Sequence, residues 1–356
     1  MNAAYAHLYH YTIPFSEPVT VRGRRLLQRE GLVLALKNSD LTVTGYGEIA
    51  PLTGLHTEPL QAAEQQAIEM LTMYRADLGK ALSGPLLPSV RTGLEMAMLS
   101  YEANEKGSFP DLTEQEPANA VPVNALLPAR HDTAVAKTAA LYRHGYRAFK
   151  LKVTPASAGE VIDIVNTLYA IHGDNIELRL DANQSMMLEE ACSFCNLLPE
   201  GSIRYIEEPL ANPADIEKFH ACTGVLSALD ETLWQNPDLA ARIPDSCLDA
   251  YILKPARLGG IRRSMELASE ARRRNLRSVF SSAYESGISL GFYVWMAACS
   301  TGTPAPCGLD TIRFLKQDLL MQPFRPDDAM LDPRQLFRNG QEVSPRRIRL
   351  TSIWTL

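Results

Sequence analysis

The feature that most constrains the fold is the regular alternation of strand and helix patterns after residue 120. Short apolar segments rich in β-branched and aromatic residues predict strands, and helical periodicity fills most of the intervals between them. Eight strands alternating with helices favour a parallel sheet, and at this repeat number they favour a closed α/β barrel. The predicted strands are 121–127, 148–153, 176–180, 203–206, 226–229, 250–253, 278–280 and 306–309.

The first hundred or so residues follow a different pattern, one that is typical of an α+β domain. Strand-like and helix-like segments occur there without the regular alternation seen later in the chain. The strands are predicted at 9–13, 32–36 and within 41–49, and the helices at 59–78 and 88–102.

A polar, proline-containing stretch at 108–118 predicts the boundary between the two regions. The C-terminal stretch is rich in proline and arginine and contains a strand candidate at 348–351. We expect it to return and pack on the N-terminal domain. The sequence therefore predicts a capping domain over 1–118, completed by 312–356, and a barrel domain over 119–311.

Composition argues against several classes of partner. The chain has 356 residues, of which 46% are hydrophobic, and its formal net charge is −6. Such a chain can bury a sizeable core, and its negative charge makes nucleic acid an unexpected partner. No apolar run approaches the roughly 18 residues that a transmembrane helix needs, and the N-terminus lacks a signal-peptide pattern. We expect a cytoplasmic protein without a membrane partner.

Charged residues recur where the predicted barrel strands end. These are Lys152, Asp181, Glu207, Asp230 and Lys254, at successive intervals of 29, 26, 23 and 24 residues. The carboxyl ends of barrel strands meet on one face, so three neighbouring strands deliver three carboxylates to one place. Three converging carboxylates repel one another unless a cation joins them, and an all-oxygen set suits Mg²⁺ or Mn²⁺ better than Zn²⁺. The sequence predicts a metal site at these carboxylates.

Each of these residues also has a purely structural interpretation. Asp181 and Asn183 fit a turn, Glu207 and Glu208 fit a solvated pair before a proline, and Asp230 fits a helix N-cap. Five charges in register on five successive strands are difficult to explain by five independent structural roles. The joint pattern therefore favours a functional site.

Two lysines share the second barrel strand. Lys150 and Lys152 are two residues apart, so they point to the same face of the strand. The alternative is an exposed edge strand with two solvated lysines. Arg179 lies two residues before Asp181 and is expected to face the barrel interior, where its charge would favour the neutral lysine that a general base requires. If Arg179 faces outward instead, an ion pair with Glu177 or with a helix carboxylate is the other possibility.

With these residues the chain resembles the enolase superfamily, in its muconate-lactonizing subgroup. Within that superfamily it is similar to the o-succinylbenzoate synthase family. The departures are Gly287 and the C-terminal tail, for which no counterpart is identified. The resemblance rests on Lys150-x-Lys152, Asp181, Glu207, Asp230 and Lys254, with Arg24-Arg25-Leu26, Glu30-Gly31-Leu32, Gly47-Glu48-Ile49-Ala50-Pro51-Leu52, the segment from Ser281 to Ser286, and Gly308-Leu309-Asp310-Thr311.

The resemblance implies a modified (β/α)7β TIM-like barrel with an α+β capping domain. It implies a lyase of menaquinone biosynthesis that uses Mg²⁺, or Mn²⁺ in its place, and acts on a small-molecule carboxylate. The reaction would be the syn-dehydration of 2-succinyl-6-hydroxy-2,4-cyclohexadiene-1-carboxylate to o-succinylbenzoate. Lys152 would be the general base, Lys254 would stabilise the enediolate, and Lys150 would contact the metal-bound carboxylate. The implied substrate-binding residues are Asn183, Arg179, Ser281, Ser282, Gly308 and Arg24, with Arg22 as the alternative to Arg24.

Two rival functions stay open at this point. An N-succinylamino acid racemase or a dipeptide epimerase of the same superfamily would use the same two facing lysines. A non-catalytic, metal-stabilised barrel that serves as an interaction scaffold is the alternative outside enzymology. If the protein is a scaffold, the lysines should be replaceable. If it is either of the enzymes, they should be indispensable.

Overall fold

The computed structural model describes residues 2–300 and 303–356, which form thirteen strands and thirteen α-helices. The strands are β1 (Tyr5–Val21), β2 (Arg24–Lys37), β3 (Thr44–Ile49), β4 (Val121–Pro122), β5 (Asn124–Leu127), β6 (Ala148–Lys152), β7 (Glu177–Asp181), β8 (Tyr205–Glu207), β9 (Ser227–Leu229), β10 (Leu248–Leu253), β11 (Arg277–Phe280), β12 (Met330–Leu331) and β13 (Arg349–Thr355). The helices are α1 (Leu60–Met73), α2 (Leu78–Ala81), α3 (Pro88–Glu105), α4 (His131–Arg143), α5 (Ala158–His172), α6 (Leu188–Cys195), α7 (Ile216–Thr223), α8 (Glu231–Gln235), α9 (Pro237–Arg242), α10 (Pro255–Leu258), α11 (Ile261–Arg273), α12 (Gly287–Ser300) and α13 (Pro333–Gly340).

Seven parallel strands form the barrel sheet, and their spatial order from β5 to β11 follows the chain. This order is what successive β/α units produce, because each crossover helix returns the chain to the next position along the sheet. The register aligns Lys152 with Asp181 and Asp181 with Glu207 across β6, β7 and β8. The predicted convergence of charged strand ends is therefore built into the strand pairing.

The predicted eighth strand at 306–309 is only a pair of bridges. Cys307 forms a parallel bridge with Val123, and Gly308 forms one with Ser281, next to the two ends of the curled sheet. Pro306 has no backbone N–H to donate, which limits a longer ladder here. The segment nevertheless joins both ends of the sheet, as the prediction of a closed barrel required.

The cap is a four-stranded antiparallel sheet in the order β13, β1, β2, β3, with α1 and α3 packed against it. Gly47 on β3 allows α3 to approach closely, since a Cβ atom there would lie 1.9 Å from the carbonyl oxygen of Gly93. The first hairpin is far longer than the strands predicted at 9–13 and 32–36. Its turn lies at Arg22 and Gly23, both with positive φ.

The C-terminal segment contacts both regions. The predicted strand at 348–351 is β13, which pairs with β1 of the cap. Helix α13 packs instead against α12 of the barrel, where the carbonyl oxygen of Leu336 lies next to Gly291. In the described part of the chain, no helix has both the length and the apolar character that crossing a membrane requires.

Candidate active site

Three carboxylates meet at the carboxyl ends of the central barrel strands. Asp181 and Glu207 end β7 and β8, and Asp230 follows β9; their exposed fractions are 3%, 1% and 1%. Lys150 Nζ lies 2.9 Å from Asp181 Oδ2 and 2.7 Å from Glu207 Oε2. Lys254, directly after β10, donates a hydrogen bond to Asp230 Oδ2. The strand ends thus bring together four of the five charges that the sequence spacing predicted, joined by Lys150. The fifth, Lys152, bonds to Asn183 instead.

The electrostatic balance of this cluster differs from residue to residue. Burial opposes the ionised form of Asp181, but the ammonium groups of Lys150, Lys152 and Lys254 together outweigh it and lower the pKa of that carboxyl to about 2. Burial and the neighbouring Asp181 raise the pKa of Glu207, and burial raises the pKa of Asp230 well above its ordinary range. Burial also opposes the ammonium of Lys150, but Asp181 and Glu207 outweigh it and hold the pKa of Lys150 well above its usual value.

The donor set of the cluster suits a hard divalent cation. Glu207 Oε1 is buried and has no hydrogen-bond partner among the described residues. A buried acceptor of this kind is costly unless a cation or donor meets it, and carboxylate oxygens are the ligands that Mg²⁺ and Mn²⁺ prefer. Between residues 2–300 and 303–356, no three Asp, Glu, His or Cys side chains are already arranged as a formed metal site. Here Lys150 and Lys254 provide the counter-charge to the three carboxylates.

A cavity of about 370 Å³ opens on this cluster between the barrel and the cap. Lys152 and Lys254 both line it, from strands that lie on opposite sides of the three carboxylate-bearing strands. Other barrel residues along its wall are Asn124, Leu126, Lys150, Asp181, Asn183, Glu231, Ser281, Ser282, Ala283, Tyr284, Gly308, Asp310 and Thr311, and the cap adds Thr20, Val21, Arg22, Leu52 and Leu55.

His56 fastens one cap loop to the barrel beside this cavity. Its Nδ1 accepts a hydrogen bond from the Leu52 backbone N–H at 3.0 Å, and its Nε2 lies 3.1 Å from the carbonyl oxygen of Ala256. These partners require the neutral ring with the proton on Nε2. Burial lowers the pKa of His56 to about 4, which favours the same neutral form.

The expected substrate-binding residues divide into two groups. Asn183, Ser281, Ser282 and Gly308 line the cavity. Ser282 Oγ donates to the carbonyl oxygen of Gly308 at 3.1 Å and lies 2.7 Å from Thr311 Oγ1. These side chains form a polar wall that is able to receive a substrate carboxylate or carbonyl group.

Arg179 and Arg24 lie elsewhere. Arg179 is fully buried inside the barrel, but its Nε pairs with Glu177 at 2.5 Å and its Nη1 donates to the Pro306 carbonyl oxygen at 2.7 Å. This is the ion pair that the sequence left as the alternative, and it points the guanidinium towards the amino ends of the strands. The expectation that Arg179 makes Lys150 neutral is not met, because the adjacent carboxylates dominate. Arg24 is exposed on β2, and Arg22 in the preceding turn lines the cavity instead.

Glu208 is a functional candidate that the sequence interpretation missed. It was considered a solvated neighbour of Glu207, yet it is 1% exposed. Its Oε1 accepts from the backbone N–H groups of Asp230 at 2.8 Å and Thr232 at 2.7 Å. Its Oε2 accepts from Thr232 Oγ1 at 2.7 Å and Gln184 Nε2 at 2.9 Å. The sequence signal was the acidic doublet before a proline at a strand end.

Glu231 is the second missed residue. Its carboxylate is buried, lines the cavity and pairs with Arg22 at 3.2 Å. The signal was again an acidic doublet at a strand end, Asp230-Glu231, of which only the first member was considered. In both doublets the second carboxylate is buried and bonds to residues beyond its own strand: Glu208 to Asp230 after β9, and Glu231 to Asn183 after β7.

Two family models match the chain. The model described as "MenC, N-terminal domain" matches residues 3–101. The model described as "Enolase C-terminal domain-like" matches residues 133–341, more than half of the chain.

Curated relatives are similar over most of this chain. It is 32% identical over 331 residues to the o-succinylbenzoate synthase of Haemophilus influenzae, with 88% of this chain and 92% of that protein covered. It is also 32% identical over 343 residues to the protein PHYLLO, chloroplastic, of Arabidopsis thaliana. That match covers 82% of this chain and 20% of the longer relative.

Solved structures support the fold. The dipeptide epimerase of Enterococcus faecalis, complexed with Mg and the dipeptide L-Leu-L-Tyr, superposes with a TM-score of 0.79. The two chains are 16% identical, and the match covers 98% of this chain and 100% of the epimerase. At this identity the similarity concerns the fold alone.

Proposed function

We propose that this chain, which belongs to the o-succinylbenzoate synthase family of the enolase superfamily, dehydrates 2-succinyl-6-hydroxy-2,4-cyclohexadiene-1-carboxylate to o-succinylbenzoate in menaquinone biosynthesis. The observation that carries the proposal is the position of Lys152 and Lys254 in one cavity, on opposite sides of three buried carboxylates. That arrangement suits the removal of a proton from a carbon next to a carboxylate.

The chemical problem is the weak acidity of that carbon. Lys152, as the general base, takes the proton and returns it to the departing hydroxyl on the same face, which gives a syn elimination. Lys254 stays a cation because Asp230 and Glu207 outweigh its burial and raise the pKa of its ammonium. It stabilises the negative charge that develops on the enediolate. Lys150 holds the carboxylates of Asp181 and Glu207 in position.

Asp181, Glu207 and Asp230 are the residues that would hold Mg²⁺, or Mn²⁺ in its place. When bound, the cation supplies positive charge beside the substrate carboxylate and so favours ionisation of the adjacent carbon. Two observations support this assignment: Glu207 Oε1 is buried and meets no hydrogen-bond partner among residues 2–300 and 303–356, and all the donor atoms are oxygens.

The remaining wall of the cavity suits the succinyl tail. Ser281, Ser282 and the Gly308 backbone offer polar groups on the side where the barrel closes, and Asn183 contributes an amide beside Lys152. Arg22, in place of the expected Arg24, covers the mouth from the cap. The division into a cap over 1–118 and 312–356 and a barrel over 119–311 is part of the same proposal. The family match at 3–101 lies within the proposed cap, whereas the match at 133–341 covers most of the proposed barrel and extends into 312–341.

The deciding experiment is an assay of purified protein with the cyclohexadiene carboxylate, with and without EDTA. We expect aromatic product to form, EDTA to abolish turnover, and added Mg²⁺ or Mn²⁺ to restore it. N-succinylamino acids and dipeptides serve as parallel substrates. Racemisation or epimerisation without dehydration would contradict the proposal and favour the rival enzymes. The absence of turnover on every substrate would favour the scaffold.

A further inference from the structure

A continuous chain of side-chain contacts joins the cap to Lys152. Arg22, in the turn between β1 and β2, has Nη2 3.2 Å from Glu231 Oε1. The same oxygen accepts a hydrogen bond from Asn183 Nδ2 at 3.3 Å. At the other end of the amide, Asn183 Oδ1 accepts a hydrogen bond from Lys152 Nζ at 3.0 Å. In each of these contacts a donor of one side chain meets an acceptor of the next. We call this chain of four side chains, from Arg22 to Lys152, the polar relay.

Glu231 is the buried member of this relay, and its carboxylate depends on its neighbours. Its side chain is 2% exposed, whereas that of Arg22 is 44% exposed. Its Oε2 is buried and meets no hydrogen-bond partner within the described residues. A buried carboxylate is costly unless it is paired and hydrogen-bonded, so Glu231 depends on Arg22 and Asn183. The Arg22 guanidinium also lies 5.9 Å from the centre of the Trp234 ring, which keeps it near the carboxylate.

Asn183 is held in a backbone conformation that needs support. Its φ is +43°, in the left-handed region that asparagine tolerates better than most residues. Its backbone N–H donates to Asp181 Oδ1 at 3.1 Å, and its side chain spans the gap between Lys152 and Glu231. The bond to Glu231 selects the orientation of the amide in which Oδ1 faces Lys152.

We propose that Glu231 is a positioning residue that couples the seating of the cap hairpin (residues 19–26) to the orientation of Lys152. With the hairpin seated, Arg22 compensates the buried charge, and Glu231 fixes the Asn183 amide that holds the lysine. When the hairpin lifts, the carboxylate loses its ion pair with Arg22 and holds the Asn183 amide less firmly. The coupling rests on the proposed function for its catalytic meaning, but the contacts themselves require no substrate.

The first test measures the two ends of the relay without turnover. Hydrogen–deuterium exchange reports on the hairpin, and acetic anhydride labelling followed by mass spectrometry reports on the Lys152 amine. Glu231→Ala is expected to increase both rates by roughly two- to fivefold, the range for loss of a partly exposed ion pair. Asp238→Asn, an exposed carboxylate on α9, is the matched control and should change neither rate.

Two further variants separate the arms of the relay. Glu231→Gln keeps an oxygen for Asn183 but removes the charge that Arg22 needs, so hairpin exchange should rise and, through the coupling, Lys152 labelling should rise with it, though less than in Glu231→Ala. Raised hairpin exchange with unchanged Lys152 labelling would overturn the coupling. Asn183→Leu should raise Lys152 labelling and leave the hairpin unchanged. Wild-type rates at both ends in Glu231→Ala would overturn the proposal. Equal acceleration of both ends in Asn183→Leu would also overturn it, because that result indicates general loosening. If Glu231→Ala does not fold, the Gln and Leu variants decide.

Steady-state kinetics distinguish a positioning role of Glu231 from a merely structural role, because a structural role would not affect KM and kcat differently in different variants. Glu231→Gln should raise KM several-fold with kcat within about twofold of wild type, whereas Glu231→Ala should also lower kcat by about tenfold. Equal effects of the two variants on KM and on kcat would contradict the separate roles given to the charge and to the hydrogen-bonding oxygen of Glu231. If the wild-type protein does not convert the cyclohexadiene carboxylate, the proposed function fails, and the exchange and labelling results still decide the coupling.

Discussion

At the scale of single residues, the two facing lysines have different surroundings. Lys254 is half-buried and pairs with Asp230, whereas Lys152 is exposed to the cavity and bonds to the neutral amide of Asn183. A fixed cation suits the first environment, and a group that gains and loses a proton suits the second. The proposed roles follow from this contrast.

Arginine substitutions test the two roles. Arginine cannot lose its proton near neutral pH, so Lys152→Arg should be as inactive as Lys152→Ala. Arginine at 254 keeps the positive charge with a bulkier geometry, so Lys254→Arg should retain more kcat/KM than Lys254→Ala without matching lysine. Activity in Lys152→Arg together with inactivity in Lys254→Arg would invert the assignment.

Glu207 tests the metal site. The change Glu207→Gln preserves size but removes a charge from the three-carboxylate set, so Mg²⁺ affinity should fall and kcat/KM should decrease by about a thousandfold. Titration of the EDTA-stripped protein with Mg²⁺ gives the affinity separately from activity. Glu217→Gln, on the surface of α7, is the control. Wild-type affinity and turnover in Glu207→Gln would exclude Glu207 as a ligand.

At the scale of elements, the strand ends depend on carboxylates that do not face the cavity. Glu208 at the end of β8 holds the backbone of Asp230 and Thr232 and also the Gln184 side chain of the β7 turn. It therefore fixes the start of α8, and with it the direction of Asp230. Its own left-handed backbone, with φ of +44°, is maintained by these three bonds and by a fourth from Thr232 Oγ1.

Glu208→Ala should leave two buried backbone donors without a partner. We expect a loss of about 2–4 kcal/mol in the free energy of unfolding and a 10- to 100-fold weaker Mg²⁺ affinity, roughly the range for supporting partners of metal ligands. Glu208→Gln retains an acceptor for the two N–H groups and should lose less of both. Denaturant unfolding and Mg²⁺ titration measure the two effects. Unchanged Mg²⁺ affinity in a folded Glu208→Ala protein would limit Glu208 to a purely structural role.

The sequence predicted the elements better than it predicted their ends and partners. Periodicity located β6, β7 and α3 within a few residues because each has a strong apolar pattern. It missed that β1 continues to Val21, since that strand crosses Pro14 and Pro18, which locally resemble turns. Glu208 and Glu231, which directly follow Glu207 and Asp230, were missed because the sequence of an acidic doublet does not show whether its second side chain is buried.

Gly287, a departure from the family pattern, has a local explanation. A Cβ atom there would lie 2.4 Å from Asp318 Oδ2 and 2.5 Å from Leu320 Cδ1. The Gly287 backbone N–H donates to Asp318 Oδ1 at 2.8 Å, so the C-terminal segment supplies the carboxylate at the start of α12. This hydrogen bond therefore links Gly287 to the atypical C-terminal tail. The local sequence around either residue does not reveal it.

At the scale of the whole molecule, buried polar residues of the cap reach into the barrel. Glu48 on β3 accepts from Ser286 Oγ at 2.8 Å and from the Ser286 backbone N–H at 3.0 Å, next to the first turn of α12. Arg29 on β2 donates to the carbonyl oxygens of Pro51 at 2.9 Å and Tyr284 at 3.1 Å. The cavity wall is therefore a joint product of both regions, and its stability depends on the bonds between them.

His56 makes this dependence sensitive to pH. Burial lowers the pKa of His56 in the folded protein to about 4, below the value of about 6.5 expected in the unfolded chain. As pH falls below 6.5 the unfolded state binds the proton first, so the stabilisation present at neutral pH is lost between about pH 6.5 and 4. The size of this effect is roughly 3 kcal/mol. Protonation would also place a donor against the Leu52 N–H and break the bond that holds that loop.

Unfolding free energies of wild type and His56→Gln, measured in denaturant at several pH values, test this linkage. The wild-type protein should lose about 3 kcal/mol more than the variant between pH 6.5 and 4, because the titrating carboxylates are common to both and cancel in the difference. His144→Gln, which removes an exposed histidine on the barrel surface, should follow the wild-type curve. Parallel curves for wild type and His56→Gln would mean that His56 titrates alike in the folded and unfolded states. Its role as a neutral link between cap and barrel would then be wrong.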